Sequence, residues 1–179
     1  MNFESIRRFL NSGVDAMQTF VEKNPDMVVN PDMVVNPKPT IQVLVKDPRA
    51  VIPSKAHEDD IGYDLTLIAH EKKISDRIDM YDTGIAVKPP TGYYIEVVPR
   101  SSFSKTGYVL ANSVGIIDPQ YRGSLKVVVM RVSDDAQPLQ LPFKGFQLIM
   151  RRAEVSELVE VDTLDTTVRG DGGFGSTGN

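Results

Sequence analysis

The chain contains no cysteine. Disulfides, thiolate nucleophiles and cysteine-based zinc sites are therefore excluded. Its two histidines, His57 and His70, are too few for a histidine-built metal centre. Tryptophan is absent and aromatics make up only 7% of the residues. No apolar run is long enough to cross a bilayer, and the N-terminus lacks the continuous apolar stretch of a secretory signal. Nor is there an excess of positive charge. A formal net charge of −4 argues against a nucleic-acid binder, which usually carries a basic face. Phosphate-bearing small molecules stay open as substrates, because a local cluster of cations can oppose the global sign.

What remains is an ordinary globular composition, 41% apolar and 25% charged, with 12 prolines and 13 glycines as turn material. A length of 179 residues fits one domain with a real core plus an extension. Residues 1–23 have the period of an amphipathic helix, with Phe3, Ile6, Leu10, Val14, Met17 and Val21 at three- and four-residue steps. Such a helix packs on its own domain or on a partner; the acidic Glu4, Asp15 and Glu22 argue against a transit peptide. A direct repeat follows, the hexapeptide Pro25 to Asn30 recurring as Pro31 to Asn36. Regular proline blocks helix and favours extended chain, so residues 24–39 read as an arm.

From Thr40 the period changes to two. Ile41, Val43 and Val45 alternate with other residues, and short β-rich runs follow at Tyr63–Ala69, Tyr93–Val98, Leu125–Val132, Phe146–Met150 and Val155–Val161. Pro, Gly, Asn and Asp separate them. Many short strands with turns between them predict an all-β sandwich, barrel or jelly roll. The end of the chain, Arg169 to Gly178, holds five glycines, one arginine, one phenylalanine and two hydroxyl side chains. It cannot build a core, and by composition it is a mobile tail.

Four other segments carry groups suited to chemistry. Gly62-Tyr63-Asp64-Leu65 starts a strand with a carboxylate. Pro99 to Gly107 combines Arg100, Ser101, Ser102, Ser104 and Lys105, a donor-rich loop suited to anionic oxygens but without the glycine spacing of a P-loop. Asn112 to Gly123 reads as a hairpin turning at Asp118-Pro119-Gln120, with an aromatic, Tyr121, three residues after a carboxylate. Lys144 to Gln147 ends in an amide. Each of these has an ordinary structural explanation when taken singly.

Their order and joint spacing resemble the trimeric deoxyuridine triphosphatase (dUTPase) family, which carries five short motifs in a fixed order. Gly62-Tyr63-Asp64-Leu65 resembles the first and Pro99-Arg100-Ser101-Ser102 the second. Gly115-Ile116-Ile117-Asp118 through Tyr121-Arg122-Gly123 is similar to the third, Gln147-Leu148-Ile149 to the end of the fourth. Arg169-Gly170 with Gly172 to Gly178 is similar to the fifth. The fourth departs from the pattern: Pro142, Phe143 and Lys144 stand where Gly-Asp-Arg is usual, and Phe103 and Ser104 replace a common Leu and Ala in the second. The related dCTP deaminases share the fold, but the resemblance places a catalytic Glu in their central hairpin, where this chain has Asp118 and Tyr121.

The resemblance implies a jelly-roll-like β-barrel over residues 40–168, preceded by the helix and arm of 1–39 and followed by a glycine-rich flap, 169–179. It implies a homotrimer with sites shared between subunits, and hydrolysis of dUTP to dUMP and pyrophosphate. Mg²⁺ would be held by the triphosphate and waters, with no direct protein ligand. Asp118 would be the general base. Tyr121 would lie under the deoxyribose, and Asn112 with the backbone around Ile116 would read the uracil. Gly115, Ile117, Lys126 and Gly175 would also contact substrate. Arg100, Ser101 and Ser102 would hold phosphate oxygens, Asp64 a water on the Mg²⁺, and Gln147 the catalytic water or phosphates. Arg169, Ser176 and Thr177 would clamp the terminal phosphate and Phe174 would stack on the base. A location inside the cell, in cytoplasm or nucleus (of a host, if the source is viral), is expected, with neither nucleic acid nor membrane as partner. The helix and arm offer a surface for a regulatory protein.

Overall fold

The structure, a computed structural model, describes residues 38–173. The amphipathic period and the repeat fall outside that range, as do Phe174, Gly175, Ser176 and Thr177. Ten strands are present: β1 Gln42–Val45, β2 Tyr63–Leu67, β3 Ala69–Ser75, β4 Ile78–Asp82, β5 Ile85–Lys88, β6 Tyr93–Pro99, β7 Tyr108–Leu110, β8 Gly115–Ile117, β9 Lys126–Arg131 and β10 Phe143–Arg152. A short 3-10 turn, Ser101–Lys105, links β6 to β7. One four-stranded sheet has the order β2-β10-β6-β8 and the other β3-β4-β9-β7, while β1 and β5 form a two-stranded ribbon. Every pairing is antiparallel. This is the all-β, jelly-roll-like barrel expected. Among the described residues no helix is long and apolar enough to cross a membrane.

Alternation explains the core. In β9, Val127 and Val129 are buried between outward Lys126 and Val128; in β6 the inward pair is Ile95 and Val97, and in β10 it is Phe146 and Leu148. Side chains from both sheets and from β5 meet in one cluster that includes Leu65, Ile85, Ile95, Val129 and Phe146. At period two, one face of each strand supplies this core and the other faces out.

Three expectations change. Tyr63–Ala69 is not one strand: β2 ends at Leu67 and β3 begins at Ala69 in the other sheet. Buried Ile68, whose amide donates to the Asp82 carbonyl at 2.8 Å, marks the crossing between sheets. Val155–Val161 forms no strand. Its apolar side chains are open, Val155 at 95% and Leu158 at 101% exposure, because the described chain offers no sheet edge to pair with them. Finally, Asn112–Gly123 is not a hydrogen-bonded hairpin, since β8 pairs with β6 and the following β9 pairs with β4 and β7. The segment instead carries the chain from one sheet to the other, and the tight turn at Asp118 survives within it.

Candidate active site

The first group of polar side chains forms where β2, β6 and β10 lie side by side. Asp64 pairs in register with Gln147, and Gln147 with Val98, so the three side chains share one face. That face is opposite to the one bearing Leu65, Phe146 and Leu148, which are in the core. Gln147 lies over the backbone of Gly62 so closely that a Cβ there would stand 2.2 Å from Oε1. Asp64 is bracketed by cations. Arg100 Nε is 3.0 Å from Oδ1 and Lys144 Nζ is 3.2 Å from Oδ2.

Lys144 reaches this point because β10 is irregular. Phe143 pairs with Leu67 but Phe146 with Leu65, so Lys144 and Gly145 together oppose Thr66 alone. A bulge of this kind turns a side chain out of its regular direction. Gly145 is needed in it: a Cβ there would fall 2.1 Å from the Phe143 ring. Its carbonyl also accepts the Arg100 amide at 2.9 Å, tying the bulge to the loop that follows β6. Sequence reasoning did not select Lys144 as a site residue. A glycine inside a β-rich run was the available signal.

That loop is shaped by Phe103. The ring is buried, 4.6 Å from the Phe146 centroid and 6.1 Å from that of Phe143. With Phe103 pinned inward, the 3-10 turn leaves Ser101 and Ser102 exposed beside Arg100. Two cations, two hydroxyls and an amide thus converge on one surface, an arrangement suited to phosphate oxygens.

The second group lies on β8 and the turn after it. β8 is at the edge of its sheet, paired on one side only, so its outer edge offers backbone donors and acceptors. Gly115 fits against Val97, where a Cβ would come within 3.3 Å of Val97 Cβ. Asn112 precedes β8, and its carbonyl accepts the Val114 amide at 2.6 Å. Ser113 adopts φ 61°, a left-handed conformation that turns the chain into the strand. Ile116 is 57% exposed, and Ile117 is half-buried on the core. The Asp118 turn is closed by the Tyr121 amide, which donates to the Asp118 carbonyl at 3.0 Å. Asp118 and Tyr121 are both exposed.

The two groups are far apart within one chain. Ile117, next to Asp118, pairs with Ile95, and Arg100 lies five residues further along β6. Five extended residues span about 17 Å. The turn end instead meets the loop after β5: Pro119 and Arg122 line a cavity with Thr91 and Gly92. Lys126 belongs to neither group, being held by Asp82 at 2.6 Å and Glu71 at 2.9 Å. Arg169 makes a local bond, Nε to the Gly172 carbonyl at 2.9 Å.

An antiparallel barrel with an oxyanion-suited surface at one end of a strand and a carboxylate–tyrosine turn at the other defines a class: an all-β protein built to handle a phosphorylated small molecule. The chain belongs to the dUTPase family, whose model matches residues 48–178. It is similar to the deoxyuridine 5'-triphosphate nucleotidohydrolase of Wolinella succinogenes, 34% identical over 142 residues, covering 79% of this chain and 95% of that protein. The protein of the same name from Mycobacterium tuberculosis is 38% identical over 148 residues, covering 78% and 95%. Among solved structures, the Staphylococcus bacteriophage 80alpha dUTPase with dUpNHpp superposes with a TM-score of 0.60 at 26% identity, covering 78% of this chain and 99% of that one. The dUTPase of phage phi11 of S. aureus, at 23% identity and a TM-score of 0.55 over 69% and 97% of the two chains, shares the fold.

Proposed function

We propose that the chain hydrolyses dUTP to dUMP and pyrophosphate at sites completed by neighbouring copies of itself. Family membership supports the reaction. The observation that carries the division of roles is the exposed turn holding Asp118 and Tyr121 at the end of edge strand β8. Asp118 accepts a proton from water as that water attacks the α-phosphorus. The bond from the α-phosphorus to the oxygen bridging to the β-phosphate breaks, and pyrophosphate leaves. Tyr121 lies under the deoxyribose. The outer edge of β8, Gly115 to Ile117, and Asn112 read the uracil with fixed donors and acceptors. Cytosine reverses part of that pattern and would leave buried groups unpaired, at about 1–3 kcal/mol each.

Arg100, Ser101, Ser102 and Gln147 take the phosphates. Lys144 adds a cation to this surface. Mg²⁺ bound to the triphosphate would neutralise phosphate charge, and it needs few protein ligands because it keeps most of its waters. Asp64 is the carboxylate placed to accept a hydrogen bond from one of those waters. Hydrolysis of this kind depends mainly on positioning and charge neutralisation. Arg169, Phe174, Gly175, Ser176 and Thr177 act as a flap over the terminal phosphate and base. The 17 Å between the two groups supports sharing of each site between copies in a homotrimer, because one triphosphate cannot bridge both groups of a single chain in its reactive conformation. Lys126, engaged by two carboxylates, supports the site from below.

The decisive assay supplies dUTP and Mg²⁺ to the purified chain and follows pyrophosphate. Release of dUMP and pyrophosphate from dUTP, with little turnover of UTP, dCTP or dTTP, is expected. Inert dUTP, or ammonia release from dCTP, would overturn the reading.

A further inference from the structure

Beneath the loop that carries Tyr121 lies Asp82, the last residue of β4. Its Oδ1 accepts from the Gly84 amide at 2.8 Å and from the Ser124 hydroxyl, and its Oδ2 meets Lys126 Nζ at 2.6 Å. Lys126 in turn bonds Glu71 at 2.9 Å. Ser124 faces the other way too, for its carbonyl accepts the Tyr121 hydroxyl at 3.0 Å. Between them, Gly123 lies directly under the ring, where a Cβ would stand 2.2 Å from Oη. The far end of the Tyr121 ring therefore rests on the main chain of residues 123 and 124. That main chain is fastened to β4 through the Ser124 hydroxyl.

The anchor itself is firm. Asp82 and Lys126 are directly opposed in the β4–β9 register, so strand pairing and ion pair reinforce each other. Burial pushes the Asp82 carboxyl up, but hydrogen bonds from Lys126, Ser124 and the Gly84 amide together outweigh it and hold the group below its ordinary value. Tyr121 itself is 42% exposed, so packing on other side chains does little to hold it. Its position depends on this polar chain of contacts.

We propose that Asp82, acting through Ser124, is a positioning residue for sugar selection: it sets the height of the Tyr121 ring under the deoxyribose and so the rejection of a 2'-hydroxyl. The inference rests on the reading that Tyr121 lies beneath the sugar. A wall that excludes one oxygen atom works only if it stays in place. Displacements of about 1 Å are enough to change rates by about 10²-fold, and supporting contacts keep such groups within about 0.5 Å.

The test measures kcat/KM separately for dUTP and UTP, with thermal unfolding as a check on folding. Asp82→Asn and Ser124→Ala are expected to lower the dUTP/UTP preference at least tenfold, mainly through a gain on UTP. Ser124→Thr, which keeps the hydroxyl, is expected to retain it. Ser124→Ala stands on its own if Asp82→Asn fails to fold. A merely structural role would lower both substrates in parallel; an unchanged ratio in Ser124→Ala, with Tyr121→Ala changing it, would overturn the inference alone. An unchanged ratio in Tyr121→Ala would instead overturn the role of Tyr121, and this inference with it.

Discussion

Asp118 and Gln147 illustrate two kinds of site residue. Asp118 is exposed on a tight turn and has no side-chain partner in the chain. Replacing it with Asn keeps its size and removes its ability to accept a proton. Steady-state kinetics on Asp118→Asn should show kcat reduced by about 10²–10⁴-fold with KM little altered; an unaltered kcat would remove it as the base. Gln147 is held by shape, because its amide lies over Gly62. An added methyl at residue 62 meets the far end of a flexible side chain, which can swing aside at little cost to the fold. Gly62→Ala should therefore unfold near the normal temperature and lose activity through a displaced Gln147. A parallel loss of melting temperature would show that Gly62 serves packing instead.

At the scale of elements, β10 and β4 do the most to place the chemistry. The bulge in β10 aims Lys144 at Asp64 and also supplies the carbonyl that holds Arg100. The end of β4 holds the third motif from below through Asp82. Folding lowers the Asp82 pKa below its ordinary 3.8, so the stability it adds is present above that value and is lost as pH falls through the folded one. For Lys126, burial pulls the ammonium down but bonds to Asp82 and Glu71 outweigh it, raising the pKa above 10.5. Its contribution is full below that value and lost as pH rises through the folded pKa. Urea unfolding as a function of pH should show the acid limb flattened in Asp82→Asn. An unchanged acid limb would mean that the carboxyl adds nothing to folding.

The whole molecule is where the two halves of the site must meet. If neighbouring copies complete each site, two inactive variants can rescue each other. Arg100→Ala and Asp118→Asn chains, unfolded and refolded together, should show several times the summed activity of the separate preparations. Activity no greater than that sum would place each site within one chain. The exposed apolar residues after β10, such as Leu158 and Val159, mark a stretch whose surroundings the single chain does not supply. Beyond it, removal of residues 169–179 should leave a folded barrel with strongly reduced kcat. A truncated chain with normal turnover would end the flap role while leaving Asp118 untouched.

The fold class was legible in the chain because period-two alternation and turn residues are local signals, and each of the runs at Tyr93, Leu125 and Phe146 contains a strand. The motif residues were legible because their types and spacing are set by the chemistry they serve. Partners in space were not. The break between β2 and β3, and the placing of β8 and β9 in different sheets, depend on which edges find each other across many residues, and no local pattern records that choice. Asp82 under Ser124 and Lys144 beside Asp64 depend on register and on one bulge, and a shift of a single residue would have turned each side chain to the other face. Sequence alone therefore determined which groups are available to act, while tertiary structure decided which of them share a surface, because contact depends on pairing between distant strands.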